Sequence, residues 1–161
     1  ESRKRVGEDF VLILRYSQWK QQNYEAKLAS TPQELEAFLT PLVDAGVDVF
    51  HCSTRRFWEP EFSDTGSDFN LAGWTKKLTG KPTITVGSVG LSGHDFIGAF
   101  RGQSSQVGEF GELERRLARD EFDLVAVGRA VLQDPQWARK VEQGAFDQLT
   151  PFSPAALASL S

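Results

Sequence analysis

The 161-residue chain contains no methionine, one cysteine, two histidines and two tyrosines. Each scarcity removes a class of chemistry. Cys52 alone cannot close an internal disulfide or build a cysteine-rich metal centre, which fits a reducing compartment. The only histidines, His51 and His94, do not supply the ligand count of a typical metal site, so no metal is expected. His51 and Cys52 are neighbours in an extended stretch and point to opposite faces, which argues against thiol catalysis by that pair. No apolar run approaches a membrane span and no signal-peptide pattern is present, so a soluble cytoplasmic chain with no membrane partner is expected. Positive charge is in deficit too, with 18 Lys and Arg against 22 Asp and Glu and a net charge of −4. A nucleic-acid partner gripped through its phosphates has no electrostatic support.

What is present suffices for a packed core: 40% hydrophobic residues, 25% charged and 11% aromatic, read here as one domain over 1–161. The missing methionine and the start in the charged stretch Glu1-Ser2-Arg3-Lys4-Arg5 raise the expectation that something large lies upstream.

Along the chain, strand and helix signals alternate. Phe10-Val-Leu-Ile-Leu14 is an unbroken run of apolar residues and predicts a strand buried on both faces. Thr31-Pro32 supplies an N-cap and a proline at the first helical position. Leu35, Phe38, Leu39, Leu42 and Val43 then follow at helical spacing up to Gly46, with Pro41 able to bend the last turn. Val47–Cys52 predicts a second strand and 71–78 a short helix. Pro82–Val86 predicts a third strand ending in Gly87-Ser88-Val89-Gly90, and Glu112–Leu117 a third helix. Phe122–Val127 predicts a fourth strand ending in Gly128-Arg129, and Asp134-Pro135 opens a fourth helix. Strand centres at Ile13, Val49, Ile84 and Val125 lie 36, 35 and 41 residues apart, room for a crossover helix between parallel strands each time. The fold class is α/β, built of four βα units. They could form an open sheet or half of a (β/α)8 TIM barrel, whose full length is about 250 residues.

Two features carry chemistry. The glycine-bearing strand ends Gly87-Ser88-Val89 and Gly128-Arg129 let backbone approach a ligand and expose N–H groups to phosphate oxygens. The loops after the last two strands of βα barrels frequently hold a phosphate, and the planar fork of Arg129 suits one. Tight turns and a surface ion pair for Arg129 are the plain alternative. Arg15, directly after an apolar run, sits where barrel enzymes keep working residues and could stabilise negative charge on a bound ring. A structural ion pair competes with that reading. The Arg115-Arg116 pair is read as a solvated helix face.

The combination of Leu14-Arg15-Tyr16-Ser17, Gly87-Ser88-Val89, and Val127-Gly128-Arg129 followed by Leu132-Gln133-Asp134-Pro135-Gln136-Trp137 resembles the old yellow enzyme family. These are FMN-dependent NAD(P)H:flavin oxidoreductases and ene-reductases. The likeness runs from about Gly7 to Leu160 and matches the last four βα units of the family's barrel. It implies FMN as cofactor, NADH or NADPH as reductant, and a small electron-poor alkene as substrate. It implies that Arg15 lies against the pyrimidine side of the flavin. It further implies that backbone groups of Gly87, Ser88 and Gly128, with Val89 nearby, and the Arg129 side chain hold the FMN phosphate. The family often has another residue at the position of Ser88, a change that a backbone contact tolerates.

In the family, the loop corresponding to His51–Phe62 leans over the flavin, which makes Phe57 and Trp58 candidates for an apolar substrate lid. Arg55 or Arg56 could there meet an anionic substrate or a nicotinamide cofactor's phosphates. The family's His-His or His-Asn pair and its proton-donating Tyr come from the other half of the barrel. No segment here matches them, so the catalytic residues are unknown and the isolated chain is expected to be inactive. A missing amino-terminal half-barrel is the expected partner. A non-catalytic half-barrel module that pairs with a partner half or with itself as a homo-oligomer is the alternative. An aldolase-like phosphate-binding barrel finds no Schiff-base lysine, since Lys20 and Lys81 lie outside the strand cores.

Overall fold

The computed structural model describes residues 1–20 and 22–158 and places a short helix, α1 (Ser2–Val6), ahead of the first strand, β1 (Ile13–Tyr16). Leu160, where the family resemblance ends, lies outside the described residues. The next helix, α2 (Pro32–Asp44), starts where its sequence signals put it: the Thr31 hydroxyl accepts from the Glu34 amide at 3.2 Å, and Glu34 reaches back to the Ser30 amide at 2.7 Å. The two bonds together satisfy donors that the first turn would otherwise leave open. Then follow β2 (Val49–Ser53), α3 (Leu71–Thr79) capped by Asn70, and β3 (Thr83–Val86).

Beyond β3 the chain departs from a plain βα unit. A two-stranded antiparallel hairpin, β4 (Leu91–Gly93) and β5 (Ser105–Val107), encloses the short helix α4 (Phe96–Phe100). The crossover then resumes with α5 (Gly111–Ala118) and β6 (Leu124–Ala126). In place of the single fourth helix expected after Asp134-Pro135 there are two, α6 (Arg129–Gln133) and α7 (Trp137–Glu142). Asp134 sits between them, accepting from the Gln136 amide at 3.1 Å and pairing with Lys140 at 2.7 Å.

β1, β2, β3 and β6 form one parallel sheet in that order. Each strand is added beside the previous one, with no reversal of winding. The register puts Leu14, Tyr16, Phe50, Cys52, Thr83, Thr85 and Val125 on one face, where α2 and α3 cover them and Phe50 and Cys52 are fully buried. The opposite face carries Ile13, Arg15, His51, Ile84 and Leu124, and it is open enough that Ile13 is 56% and Leu124 55% exposed. This corrects the expectation that the first strand is buried on both faces. β1 begins three residues later than predicted, lies at the edge of the sheet and is covered on one side only, so Phe10 and Val11 are exposed as well.

Arg116 also departs from expectation, being 2% exposed on α5. Its guanidinium bonds the Asp68 carbonyl at 2.9 Å, the Trp58 carbonyl at 3.0 Å and the buried Glu121 carboxylate at 2.8 Å. It therefore binds the loop after β2 to the body of the fold. No helix among the described residues is long and apolar enough to cross a membrane.

Candidate functional site

Parallel strands end on one side of a sheet, and the loops leaving them converge there. In this chain they enclose a cavity of about 420 Å³ lined from all four strand ends. β1 and its loop contribute Arg15, Ser17 and Trp19; β2 and its loop contribute Ser53, Thr54 and Arg55. Val86–Val89 follow from β3, and Ala126, Gly128 and Arg129 from β6. All six residues singled out from the sequence as a cofactor site, namely Arg15, Gly87, Ser88, Val89, Gly128 and Arg129, are thus brought to one cavity.

Its charges are arranged unusually. Arg129 is half-buried and donates to the His94 carbonyl at 2.9 Å, the Ser105 hydroxyl at 3.1 Å and the Ser88 hydroxyl at 3.3 Å, and lies over the Phe152 ring. It makes no ion pair among the described residues, and burial pushes its pKa down. Arg15 sits at the opposite edge of the sheet, bonded only to the Ser53 hydroxyl at 3.1 Å, likewise without a carboxylate among the described residues. Three inter-strand spacings separate the two, about 14 Å. Arg55, by contrast, is fully engaged: it grips Asp95 through two nitrogens, with Nε at 2.9 Å. Burial opposes the Asp95 charge, but Arg55 and the amides of Gly98 and Ile97 hold its carboxyl below the ordinary range. Arg56 is paired with Glu59 at 2.9 Å. Neither Arg55 nor Arg56 is a spare cation for an anionic substrate.

The two glycines are glycine for different reasons. At Gly87, φ is +145° and an added Cβ would stand 2.6 Å from Thr54 Oγ1 and 2.8 Å from the Thr54 carbonyl, so packing of two loops forbids a side chain. Gly128 has φ −105° and an added Cβ would meet nothing within 4 Å. Packing does not demand glycine there, and Gly128 lines the cavity. Ser88 adopts φ +52°, a conformation rare outside glycine. Its hydroxyl donates to the Arg55 carbonyl at 3.0 Å while accepting from Arg129, and so links two of the cavity's loops.

Phe57 and Trp58 are not brought to this cavity. Phe57 is 3% exposed in the core, and Trp58 is half-buried against it, edge to face. The two line a separate depression of about 390 Å³ beside β4. The cause is the backbone: the Phe57 amide donates to the Gly87 carbonyl at 3.1 Å, the buried Asn70 amide side chain holds the Phe57 carbonyl at 2.8 Å, and Arg116 holds the Trp58 carbonyl. The aromatic residues of the main cavity are instead Trp19 and Phe96, whose rings stack with centroids 5.8 Å apart. Neither was singled out from the sequence. Trp19 follows Arg15 by four positions, a signal within reach, whereas Phe96 belongs to an insertion with no periodic signature.

His51 and Cys52 do face opposite sides of the sheet. Cys52 is buried beneath α3 beside Thr75, and burial pushes its thiol up to about 12, which makes it inert at neutral pH. His51 lies on the open face, where burial and the charge of Arg15 lower its pKa and keep it neutral. No cluster of three or more His, Cys, Asp or Glu able to hold a metal occurs among the described residues.

No family profile matches the chain. Two curated proteins are similar to it. NADH oxidase of Thermoanaerobacter brockii is 28% identical over 150 residues, covering 89% of this chain and 20% of that protein. Bilirubin reductase of Clostridium symbiosum (strain WAL-14163) is 28% identical over 118 residues, covering 67% of this chain and 27% of that protein. Both are named as oxidoreductases. The chain therefore spans a minor part of the length of the curated relatives it matches.

Proposed function

We propose that this chain is the cofactor-phosphate half of an FMN-dependent NAD(P)H oxidoreductase of the old yellow enzyme type. The observation that carries the reading is the pair of guanidiniums, Arg129 and Arg15, set in one cavity at opposite edges of the sheet without carboxylate partners among the described residues. A half-buried cation lacking a countercharge is costly, and a phosphate would supply that countercharge. The residues fit such a group. Gly128 keeps space open beside Arg129, backbone groups of Gly87 and Ser88 with Val89 border it, and the Ser88 hydroxyl steadies the Arg129 fork. Arg15 brings fixed positive charge to the far end, where it would favour negative charge gained by a ring on reduction.

FMN held by Arg129, the Gly87–Val89 backbone and Arg15 would supply hydride chemistry between NADH or NADPH and an electron-poor alkene or a related acceptor. Similarity to proteins named NADH oxidase and bilirubin reductase supports the oxidoreductase class and NADH as reductant. The one-directional strand order, with α2 and α3 on one face and the other face open, supports completion as a (β/α)8 barrel by four further βα units. The groups that anchor the alkene and deliver its proton then belong to the completing half.

Titration with FMN and with riboflavin, followed by calorimetry and visible absorbance, tests the reading. One FMN per chain is expected, with riboflavin at least about tenfold weaker for want of the phosphate contacts. Equal affinity for the two, or no binding of either, overturns it. Turnover of 2-cyclohexenone by the chain alone would refute the placement of the acid in the other half. The exposed Ile13 and Leu124 on the open sheet face favour a second reading, a module that pairs with a copy of itself. A stable flavin-free dimer in sedimentation would favour that module.

A further inference from the structure

Three segments far apart in sequence meet over the cavity in a closed circuit of contacts. Trp19, from the loop after β1, stacks on Phe96 of α4 with ring centroids 5.8 Å apart and planes 24° from parallel. Asp95, the residue before Phe96, is buried, caps α4 by accepting from the Ile97 and Gly98 amides at 3.0 and 3.3 Å, and is gripped by Arg55 from the loop after β2. Arg55 in turn lies 4.5 Å above the Tyr24 ring, whose centroid is 5.1 Å from that of Trp19. The circuit Trp19–Phe96–Asp95–Arg55–Tyr24 fixes two aromatic rings whose residues line the cavity. Both rings are half-buried, and these contacts favour the orientation in which they stack.

We propose that the Trp19–Phe96 pair is the selectivity wall of this cavity, favouring a flat conjugated second reactant over one branched at tetrahedral carbon. The inference rests on the flavin reading for what shares the cavity, but the wall itself is a property of this chain. Flat apolar rings offer extended contact to a planar π-system and little to a puckered, branched surface. The hairpin insertion that carries Phe96 thereby acquires a role: it brings an aromatic ring to a cavity whose floor comes from the strand ends. The Arg55–Asp95 pair closes the circuit and is not a spare anion site.

The test is equilibrium binding of two unreactive probes, 1-naphthol and trans-1-decalol, to the protein. Binding is read by quenching of tryptophan fluorescence and independently by calorimetry, at saturating FMN and without it. The parent protein is expected to prefer 1-naphthol by about tenfold or more, the scale on which a shaped apolar pocket separates close analogues. Phe96→Ala and Trp19→Phe are each expected to reduce that preference, the first to within about threefold by opening space and the second by a smaller factor. Gln106→Ala, which alters an exposed residue of the same insertion outside the cavity, is expected to keep the parent preference. A preference that Phe96→Ala leaves intact, or that Gln106→Ala abolishes equally, overturns the wall. Failure of FMN itself to bind refutes the cofactor reading alone, because the probe preference is measured without flavin as well.

Discussion

Gly128→Ala and Gly87→Ala should separate a ligand-bearing glycine from a structural one. At Gly128, where φ is −105° and ψ −95°, a methyl group would project into open space, so the free chain loses no packing contact. The expected cost in unfolding free energy is therefore smaller than at Gly87, where a clash is added. The methyl group would nonetheless occupy the cradle beside Arg129. Loss of one charge-assisted hydrogen bond costs about 1.5–3 kcal/mol, so FMN affinity should fall roughly ten- to a hundredfold. At Gly87 the same methyl group would stand 2.6 Å from Thr54 Oγ1 and 2.8 Å from a backbone carbonyl, at φ +145°. Backbone strain of about 1–3 kcal/mol and overpacking of a similar size add, giving a destabilisation of about 3 kcal/mol or more. That is a large part of the ~5–15 kcal/mol that holds a domain of this kind together. Urea unfolding and FMN titration on both variants form the assay. A Gly128→Ala protein that unfolds as early as Gly87→Ala, or one that binds FMN with parent affinity, would refute the division of roles.

Arg129→Met should weaken FMN by about tenfold or more while shifting riboflavin affinity far less, measured as the ratio of the two dissociation constants; parallel losses would show that the guanidinium shapes the loop and does not meet the phosphate. Arg116→Met leaves Glu121 buried and opposed by one fewer cation, and a loss of about 3–5 kcal/mol in urea unfolding is expected, with no selective effect on FMN beyond the loss of fold. Acid should destabilise the chain through Asp68 and Glu112. Hydrogen bonds from Arg119 and then Arg115 hold Asp68 down at about 2, and hydrogen bonds from Arg115 and Arg116 do the same for Glu112. Because both folded pKa values lie below the unfolded values near ~4, this stabilisation is complete above about pH 5 and disappears as pH falls towards 2. The urea midpoint followed from pH 7 to pH 2 checks this, and Asp68→Asn should flatten the acid limb. A midpoint unchanged down to pH 3 would contradict it.

Much of the scaffold was legible in the sequence because its signals are short-range. The Thr31-Pro32 start of α2, the 71–78 helix and the three later strands follow from caps, periodicity and apolar runs that act over a few residues, and the structure moves their ends by at most two positions. Strand spacing set the parallel arrangement, and the residues at the strand ends, Arg15, Gly87, Ser88, Val89, Gly128 and Arg129, were legible as a group because parallel strands deliver them to the same edge of the sheet.

Composition and local pattern by themselves therefore determined the βα alternation, the scarcity of cysteine and histidine, and the polar end of the candidate site. Tertiary structure alone decided which face of the sheet is covered, that Arg55 and Arg56 are already paired, that Arg116 is buried, and that Trp19 and Phe96, not Phe57 and Trp58, line the cavity. The engagement of Arg55 and the burial of Arg116 depend on partners 40 or more residues away, Asp95 and the Trp58 carbonyl, whereas the partner of Arg56, Glu59, is three residues on. Periodicity carries no information about them, because a side chain's partner is fixed by the register of strands and the path of an insertion, both of which exist only once the chain has folded.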